Sequence, residues 1–406
     1  MLTRFLFHHS FFIFSSIFFS FVQTRELRFV QAIWRHGDRA PGKLPYPNDQ
    51  YNEDYWPRGW EQLTNLGAAQ LEELGNFFRN RYVGKFVNET FKASEIYILS
   101  SESDRATASA QAFTDGMFQL NQCNSNGGAR MAPVPIHTTG TEDEDFLLKP
   151  TSTDCPEYDQ YFTENASGFL NELATKYADL YTFLSNVTGF GPGITTDNVA
   201  DLSNVKREMA HNLTQPEWFN QIWPQYDGNT TLDIISEIDR QVRLNEFSSD
   251  NLHKFRGGFL LGDWLQRIKR VANKSQSNPS KMLLYSSHDG TLLSLLYSLK
   301  VADGEQIPYA AAVIMEIYEG DVGSFEVEIY YRKNGDLLPR IVPGCDQACP
   351  VDKLYGILKE NAYFSLDKVL KKCKVGKNNA DNNRDNDKKK HDKHKNNKKD
   401  SSEEND

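Results

Sequence analysis

The sequence predicts an α/β fold, a mixed and mainly parallel sheet flanked by helices, with a helical stretch inserted into it. Apolar, β-prone runs alternate with segments of helical spacing, the pattern of strands joined by crossover helices. The alternation stops after residue 140 and returns near 246. Two of the β-prone runs end in polar clusters, WRHGDRAP at 34–41 and HDG at 288–290. Ligand sites of open α/β sheets gather there, at the carboxyl ends of strands.

In order, LRFVQAIW (27–34) is a buried strand that ends where the first basic cluster begins. Residues 61–82 place Leu63, Leu66, Leu71, Leu74 and Phe78 on helical spacing, which predicts a helix burying that face. SEIYILSS (94–101) is a second strand, followed by a helix with Ser103 and Asp104 as N-cap candidates and Arg105 in its first turn. VPIHTT (134–139) is a further short strand, and its His137 reads as a buried structural histidine. From 142 to about 245 acidic, aromatic and Asn residues predominate, with helical but no strand periodicity. The α/β pattern resumes with a helix over 251–273, the strand KMLLYSS, and the helix TLLSLLYSL after HDG. AAVIMEIYE and SFEVEIYYRKNG then form an antiparallel pair joined by GDVG. The domain division is 25–140 with 246–373 as one α/β domain, and 141–245 as the insertion.

The ends bound the setting. Residues 1–24 hold Arg4, an apolar stretch from Phe11 to Val22 and a polar end, which fits a secretory signal and is short for a membrane span. No later segment is apolar for long enough to cross a bilayer, so the expected location is extracellular or the lumen of the secretory pathway or lysosome. Residues 374–406 form a mixed-charge tail that cannot bury enough surface to order itself, and its His391 and His394 make a poor metal site. A net charge of -10 excludes an ordinary nucleic-acid binder. Cys123, Cys155, Cys345, Cys349 and Cys373 permit two disulfides with one thiol over, and the short loop PGCDQACP favours Cys345 with Cys349. Asn88, Asn165, Asn186, Asn212, Asn229 and Asn273 are glycosylation candidates.

Clustered cations at the end of a buried strand call for a counter-anion, because burying them unpaired costs several kcal/mol. Arg35, His36 and Arg39 follow the first strand, Arg105 the second, and His288 with Asp289 the last of the parallel set. Three guanidinium forks suit a phosphate dianion, whose oxygens they bind two at a time. Binding alone needs only the cations. A histidine and a carboxyl group point to reaction: a neutral imidazole attacks phosphorus to give a phosphohistidine, and a carboxylic acid protonates the departing alkoxide. Nearby arginines keep His36 neutral in acid and also depress Asp289, an effect that an incoming dianion reverses. The acidic limb of the activity profile is expected to move when Arg39 or Arg105 is neutralised. A glycoprotein that merely binds a partner would not need both His36 and Asp289, and a cytosolic phosphoryl mutase sharing RHG would not need an export signal.

RHGxRxP arises by chance in on the order of one chain in ten thousand. It stands here with FVQAIWRHGDRAP, WPRGWEQLTNLGAAQLEELGNFFRNRY, SSESDRATASAQAF, PVPIHTT, LYSSHDGTLLSLL, IPYAA and EVEIYYRKNGDLLPRIVPGCDQACPVDKL. In this combination the chain resembles the histidine acid phosphatases, in their prostatic and lysosomal branch, from Leu27 to Cys373. The resemblance implies a phosphoglycerate mutase-like α/β fold with a helical cap, and an enzyme without metal or cofactor. It makes His36 the nucleophile, Asp289 the proton donor, and Arg35, Arg39, Arg105 and His288 the phosphate ligands. Small phosphate monoesters are the implied substrates, with phosphoproteins as an extension, phytase-like or phosphotransferase activity as an alternative, and a homodimer as the assembly. Two departures stand out. Gly290 and Thr291 replace the Thr-Asn that phytases carry after HD, which argues against inositol hexakisphosphate, and the charged tail stands where the lysosomal branch has a membrane span. The family pattern pairs Cys155 with Cys373 and Cys345 with Cys349, leaving Cys123 over.

Overall fold

The computed structural model describes residues 25–119 and 132–374. The expected leader, Cys123 and the tail beyond Lys374 lie outside the described residues. Strand β1 (Glu26–Arg35) is the centre of the sheet, and its side chains alternate between two cores. Val30, Ala32 and Trp34 face the layer built by α1 (Asn65–Tyr82) and α2 (Asp104–Phe118), where Trp34 stacks on Phe113 at 4.2 Å. Strand β2 (Ile96–Ser100) connects these two helices, and β3 (His137–Thr138) closes this edge of the sheet.

Between β3 and the return to the sheet the chain forms α3 (Pro156–Lys176), α4 (Ala178–Val187), α5 (Thr196–Asp201) and α6 (Val205–Ala210). A two-residue ladder of β4 (Ile222–Trp223) with β5 (Asn229–Thr230) follows, then α7 (Thr231–Asn245). These elements bury their own apolar cluster around Leu180, Leu184, Val199, Phe219 and Ile235, joined by Tyr46 from the loop after β1. The β4–β5 ladder was not expected, because two-residue strands carry no periodicity.

Helix α8 (Asp250–Ala272), β6 (Met282–Ser287) and α9 (Asp289–Ser298) rebuild the α/β layers. Trp264, Leu265 and Leu292 pack with Phe29 and Ile33 on the second face of β1. Strands β7 (Ala312–Glu319), β8 (Phe325–Lys333), β9 (Asp336–Pro339) and β10 (Cys349–Pro350) extend the sheet. The order is β10-β8-β7-β1-β6-β2-β3, with β9 also on β8. Strands β1, β6, β2 and β3 run parallel and β7 to β10 add antiparallel pairs, a mixed sheet flanked by helices on both faces. Helices α10 (Val351–Leu358) and α11 (Leu366–Cys373) end the described chain. Cys155 is bonded to Cys373, tying the start of α3 to the end of α11, and Cys345 to Cys349.

Two readings need correction. Leu66 is 40 % exposed, because Thr64 caps α1 and starts the helix one turn later than its apolar spacing suggests, while Leu63 is buried upstream opposite Arg39. His137 is exposed rather than buried: it lies on the edge strand β3 with its ring stacked on Tyr97 at 4.4 Å.

Candidate active site

Strand register brings the two polar clusters together. Arg35 on β1 lies opposite Ser287 on β6, so His36 and His288 emerge side by side, their rings 5.4 Å apart. The backbone N–H of His36 still donates to Ser287 O, which fixes its exit angle. The turn after β1 then packs against the first turn of α1. A Cβ on Gly37 would come within 2.3 Å of the backbone oxygen of Gly67, so only glycine fits there. Ser100 on β2 pairs with Ser286 on β6, and this sets Arg105, in the first turn of α2, on the same rim.

Arg35, His36, Arg39, Arg105, His288 and Asp289 all line one cavity of about 440 Å³. His36 is only 3 % exposed, and its Nδ1–H donates to Gly37 O at 2.8 Å. That bond selects the tautomer and leaves Nε2 as the unprotonated nitrogen. Burial, then His288, Arg35 and Arg105, hold the His36 imidazole well below its ordinary range. His288 is lowered in the same way, by burial, Arg105 and Lys149, and its Nε2 is hydrogen-bonded to Ser101 Oγ at 2.8 Å. Arg35 donates to Ile307 O and lies over the Tyr309 ring at 4.1 Å. Arg105 pairs with the exposed Glu61 at 3.0 Å. The Nε atoms of Arg35 and Arg105 are buried without a protein acceptor. Burial and the neighbouring Arg207 pull Arg39 down to about 10, which leaves it charged throughout the acid and neutral range.

The inserted segment completes the wall with residues that no motif singles out. Lys149, Arg207 and Arg243 add three cations, and Asp201, Asn204 and Asp239 add polar groups. Arg207 Nε donates to Tyr309 Oη at 2.7 Å, bridging α6 to the loop before β7. Arg243 Nε donates to Asp289 Oδ2 at 3.0 Å, and Nη2 lies 2.9 Å from the same oxygen as an ion pair. Burial raises the Asp289 carboxyl, but Arg243 foremost, then Arg35 and the histidines, outweigh it and hold it well below the usual carboxylate range. Lys149 is brought down to about 8 by burial and Arg105.

Two further links fasten the loop after β1 to the inserted segment. His211 Nε2 donates to Asp38 Oδ2 at 2.7 Å, and Thr64 Oγ1 donates to the same oxygen at 2.7 Å. Asp49 and Glu208, both buried, share a hydrogen bond between their carboxyl groups. Burial and Asp49 raise Glu208 to about 8, so the pair keeps one proton at acid and neutral pH. Among the described residues no group of three or more His, Cys, Asp or Glu side chains is arranged to hold a metal ion.

The arrangement can neutralise a small dianion, present a nitrogen nucleophile to it and hold a carboxyl group beside it. Comparisons with known proteins agree with this chemistry. The model of the histidine phosphatase superfamily (branch 2) matches residues 26–332. Lysosomal acid phosphatase of Homo sapiens is 36 % identical over 335 residues, 81 % of this chain and 76 % of that protein. Prostatic acid phosphatase of Rattus norvegicus is 32 % identical over 342 residues, 83 % of this chain and 87 % of that protein. Among solved structures, Hafnia alvei phytase in complex with myo-inositol hexakis sulphate superposes with a TM-score of 0.63 at 15 % identity, covering 84 % of this chain and 98 % of that one. The shared fold, the family match and the two acid phosphatases lead to one conclusion: this chain belongs to branch 2 of the histidine phosphatase superfamily.

Proposed function

We propose that this protein is an acid phosphatase that hydrolyses phosphate monoesters through a phosphohistidine at His36. The observation that carries this reading is the Nδ1–H bond of His36 to Gly37 O, which frees Nε2 on a buried, neutral imidazole lining a cavity rich in arginine. Arg35, Arg39, Arg105 and His288 bind the phosphoryl oxygens and neutralise them as the P–O bond stretches. Nε2 forms a bond to phosphorus, the ester P–O bond breaks, and the alkoxide takes the proton of Asp289. Water then attacks phosphorus, gives its proton to Asp289, and the P–N bond breaks to release phosphate.

Arg243 and Arg35 keep Asp289 ionised, so its proton must be delivered. A phosphate monoester loses its second proton near pH 6. Below that value the substrate brings a proton that can pass to Asp289 as the dianion forms, which accounts for work at acid pH. A cavity of about 440 Å³ suits small monoesters better than folded phosphoproteins. A cap role for residues 141–245 is supported by the Arg207 and Arg243 side chains in the cavity wall. Export through residues 1–24 is supported by the relatives named as lysosomal and prostatic enzymes, and among the described residues no helix is long and apolar enough to cross a membrane. Asn165, Asn186, Asn212, Asn229 and Asn273 are exposed and suit glycosylation, whereas Asn88 is half-buried with its Nδ2 bound to Glu95. A homodimer is part of the same proposal and is tested by sedimentation of the secreted protein.

The test is hydrolysis of p-nitrophenyl phosphate and an alkyl phosphate between pH 4 and 8 by wild type and His36→Ala. Loss of about 10⁴-fold or more is expected in the variant. Comparable rates would overturn the reading.

A further inference from the structure

The donor carboxyl of Asp289 is more tightly held than a proton donor needs to be. Both N–H contacts from Arg243 converge on Oδ2, and the third arm of the guanidinium, Nη1, donates to Glu246 Oε2 at 2.6 Å. Arg243 lies in the last turn of α7, so a residue of the inserted segment reaches the first residue of α9. The backbone makes room for it. A Cβ on Gly290 would lie 2.5 Å from Arg243 Nη2 and 2.8 Å from Thr151 Cγ2. Gly290 follows Asp289 directly, and its φ needs no glycine. Space for the guanidinium is what the missing side chain provides.

We propose that Arg243, seated on Gly290, is a positioning residue for Asp289 that fixes the donor oxygen and sets the pH range over which the carboxyl can carry its proton. The inference rests on the phosphohistidine reading above. The charged and titratable groups that act on Asp289 are Arg35 and His36 from the end of β1, His288 beside it, Arg105 from α2, Arg207 from α6 and Arg243 from α7, while Arg39, Lys149, Asp201 and Asp239 line the same cavity. Of these, Arg243 alone among the described residues touches the carboxylate directly, with a hydrogen bond from Nε and an ion-pair contact from Nη2. Removing it leaves the phosphate-binding arginines in place and takes away the clamp on Oδ2. The carboxyl then keeps its proton to higher pH. The gain is felt only where the leaving oxygen needs that proton, as in an alkyl phosphate, and little with p-nitrophenyl phosphate, whose phenolate leaves unaided.

The test compares kcat against pH for an alkyl phosphate and p-nitrophenyl phosphate in wild type, Arg243→Met, Arg243→Lys and Gly290→Ala. Arg243→Met is expected to move the alkaline limb for the alkyl ester upward by about one pH unit or more, and Arg243→Lys to restore most of the wild-type limb. Gly290→Ala, which pushes the guanidinium aside, is expected to reproduce the shift, and the double variant Gly290→Ala/Arg243→Met to shift no further than Arg243→Met. A uniform loss of kcat with an unmoved limb, or additive effects of the two changes, would overturn the proposal and leave Arg243 a packing residue. Alkali-quench trapping of the phosphoenzyme in the same samples separates the two readings: if it forms on His36 while the limbs stay fixed, only the Arg243 inference fails.

Discussion

The Asp49–Glu208 pair makes stability depend on pH in a direction opposite to most carboxylates, and the effect can be worked from the structure. Glu208 is fully buried and raised from 4.5 to about 8 by burial and by Asp49. Its folded value therefore lies above its unfolded one. The stabilisation is fully present below about pH 4.5 and is lost as pH rises toward about 8. Between pH 5 and 7 the folded chain holds about one proton more than the unfolded chain at this site, a slope of about 1.4 kcal/mol per pH unit. The loss over that interval is about 2 to 3 kcal/mol, or a fall of about 1 M in urea midpoint for an m value near 3 kcal/mol/M. His36 and His288, buried and held neutral, have folded values below their unfolded ones and lose stability as pH falls, so the wild-type profile alone mixes both signs. Glu208→Gln isolates the pair, because glutamine can donate to Asp49 and still accept from Gln215. Urea unfolding at pH 5, 6 and 7 with disulfides intact is the assay. The variant should lose most of the difference between pH 5 and 7 that Glu208 contributes. Parallel pH dependence in wild type and Glu208→Gln would refute the shared-proton account.

Three other outcomes follow from the site. Arg105 helps to depress His36, so Arg105→Gln should raise that imidazole and move the acidic limb of kcat/KM to higher pH, with a loss of about 10²-fold at the optimum; an unmoved limb counts against the coupling. Arg39 is not among the groups that chiefly lower His36, so Arg39→Gln should weaken binding and leave the acidic limb nearly in place, in contrast to the shift expected from sequence. Gly37→Ala must displace the Gly67 backbone, and thermal unfolding should show a loss of about 1 to 3 kcal/mol together with loss of phosphatase activity.

The sequence disclosed the parts of the site that are local in the chain. RHGDR and HDG stand directly after β-prone runs, and the parallel register of β1 with β6 is what any such sheet requires, so His36 and His288 could be placed together from pattern alone. Gly290 was noticed as a departure, but its reason is a side chain 47 residues earlier, since the Arg243 guanidinium reaches it from α7 only in the folded chain. Arg207, Lys149 and the Asp38–His211 bond were hidden for the same reason. Each brings the inserted segment to the cavity or to the loop after β1, and helical periodicity says which face is apolar but not which polar residue ends over a cavity. His137 and Leu66 failed because burial was inferred from residue type and spacing, where an edge strand and a late helix start decided it.

The central claim is that phosphorus is transferred to His36 and released again with the help of Asp289. Rapid acid-sensitive trapping answers it: wild type and Asp289→Asn are mixed with a labelled aryl phosphate, quenched in alkali, and the labelled peptide is mapped by mass spectrometry. The account predicts an alkali-stable, acid-labile phosphoryl group on His36 in both proteins, with turnover of alkyl phosphates reduced by about 10²- to 10⁴-fold in Asp289→Asn. Label on any other residue, or full turnover with no phosphoenzyme formed, would contradict it.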